Sequence, residues 1–104
     1  MRLRFLGTDS QNGTCPTLFA SDSGTYVVQG WRTGLDGSAI EIPHALLKFL
    51  EPGTFLGAQL TDTGRGTFTL SGTPVTDAEA LRQLDLPNHE SGIEVPMGKE
   101  IRPV

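Results

Sequence analysis

The sequence predicts a mainly β fold, a β-rich α+β domain built as a small barrel or a two-layer sheet with one or two short helices. Three observations carry this expectation. Short runs of β-branched and aromatic residues alternate with Gly- and Asp-rich turns. Only two stretches, about 44–50 and 77–85, carry helical spacing. The length of 104 residues fits one domain, 1–104, with room for a single core.

Leu3 to Leu6 reads as the first strand. Thr17-Leu18-Phe19-Ala20 and Thr25-Tyr26-Val27-Val28-Gln29 read as a hairpin, because Ser21-Asp22-Ser23-Gly24 supplies residues that tolerate turn dihedrals. Ala39 to Ile42 alternates Ile40 and Ile42 against Glu41, as a half-buried strand does. Pro43 then suits the opening of a short helix whose Ala45, Leu46, Phe49 and Leu50 fall on one face. Glu51-Pro52-Gly53 stops it. Thr54 to Thr61 and Gly66 to Ser71 read as a second hairpin around Asp62-Thr63-Gly64-Arg65. Thr76-Asp77-Ala78-Glu79 has the form of a capping box, with Thr76 as cap and Glu79 reaching back. Ala78, Leu81 and Leu84 form the apolar stripe of that helix before Pro87. The last strand is Gly92 to Val95.

Two segment pairs resemble each other. Gly24-Thr25-Tyr26-Val27-Val28-Gln29-Gly30 matches Gly66-Thr67-Phe68-Thr69-Leu70-Ser71-Gly72 at an offset of 42, and Ala39-Ile40-Glu41-Ile42-Pro43 matches Gly92-Ile93-Glu94-Val95-Pro96 at an offset of 53. An internal repeat, 17–43 and 59–96, follows if each half is a hairpin, a connection and a strand ending in Pro. The second connection is then 11 residues longer than Trp31 to Ser38. Tyr26 and Phe68 take matching places, both expected in the core.

Eight Lys and Arg stand against 12 Asp and Glu, a net charge of −4. All of it lies between Thr76 and Glu94, where Asp77, Glu79, Asp85, Glu90 and Glu94 face only Arg82. This is a solvated acidic face or a surface for a basic partner. An acidic balance disfavours nucleic acid as a ligand, since affinity there scales with the phosphates that Lys and Arg neutralise. No apolar run is long enough to span a membrane. One cysteine, Cys15, cannot pair within the chain, and with no signal segment visible a cytoplasmic location is expected.

No pattern announces catalysis. Gly7 to Thr14 lacks the Lys of a phosphate-binding loop. His44 and His89 lie 45 residues apart, without His or Cys at ligand spacing. Asp9, Asp22, Asp36 and Asp62 each adjoin Gly, Ser or Thr, where Asp bonds the turn backbone. A non-enzyme with no cofactor and no metal is expected. Trp31 and Arg32 leave the strongest strand and belong to the residue types that dominate interfaces, although a lone Trp also serves to close a core. The partner-binding candidates are Trp31, Arg32, Asp77, Glu79, Asp85 and Glu90. Strand edges in so small a β domain need pairing or covering, which favours a homodimer.

Two resemblances add to this. Phe5-Leu6-Gly7-Thr8, Cys15-Pro16-Thr17-Leu18, Gly24 to Trp31, Val75-Thr76-Asp77-Ala78-Glu79-Ala80-Leu81, Leu84-Asp85-Leu86-Pro87, His89-Glu90 and Ile93-Glu94-Val95-Pro96 look like small proteins of streptomycetes and related actinobacteria. Those are often encoded beside a helix-turn-helix regulator. In that pattern Gly-Trp runs straight into the capped helix, whereas here residues 32–74 intervene. The resemblance implies a protein partner, in a regulatory or antitoxin-like role. Residues 39–71 are similar to the swapped-hairpin domain of AbrB-type regulators and MazE-type antitoxins, which implies a DNA-binding dimer. Basic residues do that work in the family, and this stretch offers Lys48 and Arg65 against Glu41, Glu51 and Asp62.

Overall fold

A computed structural model describes residues 1–9 and 16–100, so Cys15 and most of the Gly7–Thr14 segment lie outside the described residues. The chain runs through β1 (Leu3–Thr8), β2 (Thr17–Ser21), β3 (Thr25–Arg32), β4 (Ala39–Pro43) and a 3-10 helix (His44–Phe49). It continues through β5 (Thr54–Leu56), β6 (Thr61–Asp62), β7 (Thr67–Ser71), β8 (Thr73–Pro74), α1 (Ala78–Gln83) and β9 (Glu90–Lys99). Every pairing is antiparallel. The mainly β single domain with two short helices is therefore what folds. Its sheet is open, with β1 and β6 at the ends of the main path.

The segments that resemble each other also pair alike. Thr25 to Gln29 of β3 runs against Pro96 to Gly92 of β9, and Thr67 to Ser71 of β7 runs against Pro43 to Ala39 of β4. These are the same residue pairs once the offsets of 42 and 53 are applied. Phe19 opposite Val27 and Ala20 opposite Tyr26 recur as Thr61 opposite Thr69 and Asp62 opposite Phe68. Each hairpin thus accepts the Ile-Glu-aliphatic-Pro strand of the other half. The turns repeat as well. Glu94 accepts from Thr25 Oγ1 (2.7 Å), which lies 2.6 Å from Ser21 Oγ, while Glu41 accepts from Thr67 Oγ1 (2.5 Å), itself 2.6 Å from Thr63 Oγ1.

The main core lies between the halves: Leu18, Tyr26, Val28, Ile40, Ile42, Leu46, Leu70, Ile93 and Val95 are buried together. Burying one such aliphatic side chain is worth about 1.5–3 kcal/mol. Tyr26 is fully buried; its hydroxyl lies 2.5 Å from Thr54 Oγ1 and accepts from Glu51 N–H at 2.8 Å. Phe68, its counterpart, is only half-buried and stacks on His44, with ring centroids 4.1 Å apart. A smaller cluster of Phe19, Val27 and Leu84 forms on the outer face of the first hairpin, beneath α1.

Four expectations change in detail. The first helix is 3-10 in form, with Leu46 its buried residue. The second spans Ala78–Gln83 and is capped by Asp77 rather than Thr76: Asp77 accepts from Ala80 N–H at 2.9 Å, and its neighbouring Met1 amine takes up Glu79. Thr54 to Thr61 is not one strand, because Thr54–Leu56 pairs with Met97–Lys99 of β9 and only Thr61–Asp62 pairs with β7. Gly57 marks the break; its N–H bonds Pro96 O at 2.7 Å, so close that a Cβ would strike the same oxygen. The last strand is ten residues long, since it serves β3, β8 and β5 in turn.

Where β3 passes from β2 to β4, Gly30 lies against the backbone: a Cβ would stand 2.8 Å from Glu41 O and 2.8 Å from Ile42 Cγ2. Gly72 repeats this against Glu94 O (2.8 Å) and Val95 Cγ1 (2.8 Å). Overpacking of this kind costs about 1–3 kcal/mol. Gly30→Ala and Gly72→Ala should each lower the urea midpoint, by similar amounts and without change of slope.

Candidate functional site

The strand β3 emerges from the sheet at Trp31 and Arg32, and β9 enters beside it at Glu90 and Ser91. Trp31 pairs with Glu41 on one side and Glu90 on the other and is half-buried. Arg32 N–H bonds His89 O at 2.8 Å, and Arg32 Nε donates to Ser91 Oγ, also 2.8 Å. That bond fixes the guanidinium plane. No carboxylate lies within ion-pair distance of it among the described residues. Arg32 borders a cleft of about 240 Å3 whose other wall is Val75, Leu81 and Leu86. Leu81, on the outer side of α1, is 40% exposed. Asp36 sits at the rim, where backbone and side-chain hydrogen bonds from Ser38 hold its carboxyl below the usual range.

The acidic segment does not form one face. Asp77 and Glu79 both hold the Met1 amine, at 2.8 and 2.7 Å. Those hydrogen bonds raise the amine from 8.0 to about 10, and they hold Asp77 below its ordinary 3.8 together with the Ala80 N–H. Asp85 is exposed, and its carbonyl accepts from Gln29 Nε2 at 2.7 Å. Glu94 is drawn into the first hairpin's turn. Glu90 is buried at 1% exposure, contrary to a role on an acidic surface. Its Oε1 accepts from Gln29 Nε2 at 2.8 Å; its Oε2 has no hydrogen-bond partner among the described residues, with His89 Nε2 3.4 Å away. The reason is register: Glu90 opposes Trp31, and that position on β9 points inward between β3 and the chain leaving α1.

So the structure brings Trp31, Arg32 and Glu90 together at one corner and sets Asp77 and Glu79 at the other end of α1. Gln29, Ser91 and Leu81 belong to the corner and were missed. Gln29 carried a readable signal, a polar residue closing an apolar strand run. Ser91 carried none, because its role comes from pairing across the sheet; Leu81 was read as part of the buried stripe of the helix, but α1 turns Ala80 and Leu84 inward and leaves Ala78 and Leu81 exposed. Among the described residues no three His, Cys, Asp or Glu side chains are grouped to hold a metal, and no helix is long and apolar enough to cross a membrane.

A second, larger groove of about 530 Å3 lies on the outer face of β7, lined by Thr33, Gln59, Thr61, Thr69 and Ser71 over Ala39, Ala58 and Leu70. Among the described residues none of those lining it is charged.

Two outcomes follow from this geometry. The pairing of the Met1 amine with Asp77 stabilises the fold fully below the amine's unfolded value of 8.0 and is lost as pH rises through about 10. On the acid side the Asp77 contribution is present above 3.8 and lost as pH falls through its lowered value. Thermal melts of the Asp77→Asn variant should show both limbs flattened. Glu90→Ala should cost about 1–3 kcal/mol in urea denaturation, since it strips Gln29 of a buried partner.

Comparison of the chain with protein-family models, with curated proteins and with solved structures finds no match.

Proposed function

We propose that this chain is a small, non-enzymatic interaction protein, a regulatory accessory or antitoxin-like partner of a DNA-binding regulator. The observation that carries the reading is the Arg32 cleft. An arginine held in plane by Ser91, with no carboxylate of its own, stands across from an apolar wall that leaves Leu81 open to water. Interfaces concentrate their energy where an Arg or aromatic anchor adjoins desolvated apolar surface inside a polar rim. Asp36 supplies a charged rim position, and Trp31 precedes Arg32 on β3. The resemblance to actinobacterial proteins encoded beside helix-turn-helix regulators supports the choice of partner.

The second reading is an AbrB-like dimer that touches DNA. Both cations of the 39–71 stretch are engaged: Arg65 pairs with Glu41 at 3.2 Å, and Lys48 lies 5.1 Å from the Phe49 ring centroid. Phosphate contacts would have to displace these partners, which favours the protein–protein reading. Residues 17–43 and 59–96 are read as two copies of one unit; the support is their identical pairing register.

The proposal predicts a helix-turn-helix protein encoded beside this chain, and calorimetric titration of the chain with that protein tests it. A saturable complex is expected, weakened at least tenfold, or about 1.4 kcal/mol, by Arg32→Ala or by Leu81→Asp. No binding, or binding indifferent to both variants, overturns it. A mobility shift on the chain's own upstream DNA at low salt would favour the second reading.

A further inference from the structure

The two halves differ on their outer faces in one respect that their shared register makes visible. In the first hairpin, Leu84 at the end of α1 rests on Phe19 and Val27, with Val75 packed beside it. Gly92 makes room for it: a Cβ there would stand 2.8 Å from Leu84 Cδ1. Gln29 then ties down the chain beyond the helix through Asp85 O. The offsets of 42 and 53 carry Phe19, Val27, Val75, Gly92 and Gln29 onto Thr61, Thr69, Thr33, Ala39 and Ser71. The backbone agrees with the mapping. Thr61 opposes Thr69 as Phe19 opposes Val27, and Thr33 N–H bonds Ala39 O at 3.1 Å as Val75 N–H bonds Gly92 O at 3.0 Å.

All five of those counterparts line the 530 Å3 groove. The groove is thus the helix seat of the second hairpin, left open because the connection from Thr33 to Ala39 is too short to hold a helix. Its chemistry has changed with its cover. Two β-branched side chains and a phenyl ring have become three threonines. Their hydroxyls, those of Ser71 and the Gln59 amide make no side-chain hydrogen bond within the described residues. By contrast Ser21, Thr25, Thr63 and Thr67, on the hairpin turns, are all bonded.

The main chain adds two more groups. Thr67 O accepts from Thr63 N–H on the β6 side, and Gly72 N–H donates to Ser38 O on the other. Alternation along an antiparallel strand then turns the Ser71 N–H and C=O toward the groove. Its counterpart Gln29 is paired there with Thr17, whereas β6 stops at Thr61 and β9 takes up the edge only at Thr73. A gap of one residue is too short for an added strand, and it suits a single compact ligand.

We infer that this groove is a binding site for a small, neutral, hydroxyl-rich molecule, a saccharide or polyol. Hydroxyl groups donate and accept at once, so threonines and serine match a ligand of the same kind. Ala39, Ala58 and Leu70 offer apolar ground for its C–H faces. Among the described residues the lining carries no charged side chain, which suits a neutral ligand, and the volume lies within the range of about 300–1,000 Å3 usual for small-molecule sites.

The test is a 1H–15N NMR titration of the full chain with glucose, maltose and glycerol as probes. Saturable shifts confined to the amides around Thr33, Gln59, Thr61, Thr69 and Ser71 are expected from at least one probe. The Thr61→Val/Thr69→Val variant, which makes the seat resemble its apolar counterpart, should weaken that binding at least tenfold while retaining the dispersed wild-type spectrum. Should that variant unfold, Ser71→Ala and Gln59→Ala should weaken binding in its place. Arg32→Ala should leave the titration unchanged, which separates this site from the cleft of the proposed partner. The inference is overturned if none of the three probes saturates, if the shifts lie elsewhere, or if the groove variants bind as well as wild type.

Discussion

Two glycines set the terms for this fold. At Gly30 and at Gly72 a strand that begins in one hairpin passes along the main chain of a neighbouring strand too closely for any side chain, with carbonyl oxygens 2.8 Å from where a Cβ would stand. These passages let β3 exchange β2 for β4 along one edge while β9 holds the other, and let β7 run on into β8 beside β9. Without them each hairpin would be a separate two-stranded ribbon, and such ribbons are marginal in water. With them the core forms between the halves, from Tyr26, Val28, Ile93 and Val95 on one side and Ile40, Ile42 and Leu70 on the other. Neither half can bury these residues alone, so cohesion is a property of the pair.

The same exchange decides what the acidic residues do. Glu41 and Glu94 stand midway along β4 and β9, each facing the turn of the opposite hairpin, and each accepts a hydrogen bond from that turn's threonine. They are latches before they are surface charge. Glu90, at the start of the same strand β9, is taken further in and spends one oxygen on Gln29. The charge imbalance of the sequence therefore does not translate into a single anionic face. What it leaves at the surface is a paired cluster near Met1 and the lone Asp85, with Arg32 and Leu81 between them.

Much of the strand pattern was legible because local chemistry dictated it. Asp62 Oδ1 accepts from Gly64 N–H at 2.8 Å, and Gly24, Gly64 and Gly66 take positive φ as tight turns require. The alternation of Ile40, Glu41 and Ile42 likewise fixed which face was inside. The cap went to Asp77 because a second ligand for Glu79, the Met1 amine, lies 78 residues away in sequence and outside any local rule. The fate of Thr54 to Thr61 was hidden for the same reason: Leu56 is drawn to β9 by a pairing with Met97. At the site, Arg32 was identifiable by type, whereas Ser91 and Leu81 acquire meaning only from what the sheet sets beside them.

A repeated register makes the differences between halves more informative than their likeness. Where the matching segments face the core, both are apolar, as Ile40 and Ile93 or Ile42 and Val95 are. Where they face outward, the first hairpin has Phe19 and Val27 under Leu84, and the second has Thr61 and Thr69 outside any helix. Exposed phenyl and valyl groups without a helix above them would form an apolar patch, so threonine is the residue that preserves β preference while meeting water. Solubility alone accounts for the change of polarity. It does not require β6 to stop short of Ser71, nor Gly57 to turn the chain away toward Pro96 and widen the groove. Those two features shape a concavity where a longer hairpin would have closed it, and they place the Ser71 main chain at its base.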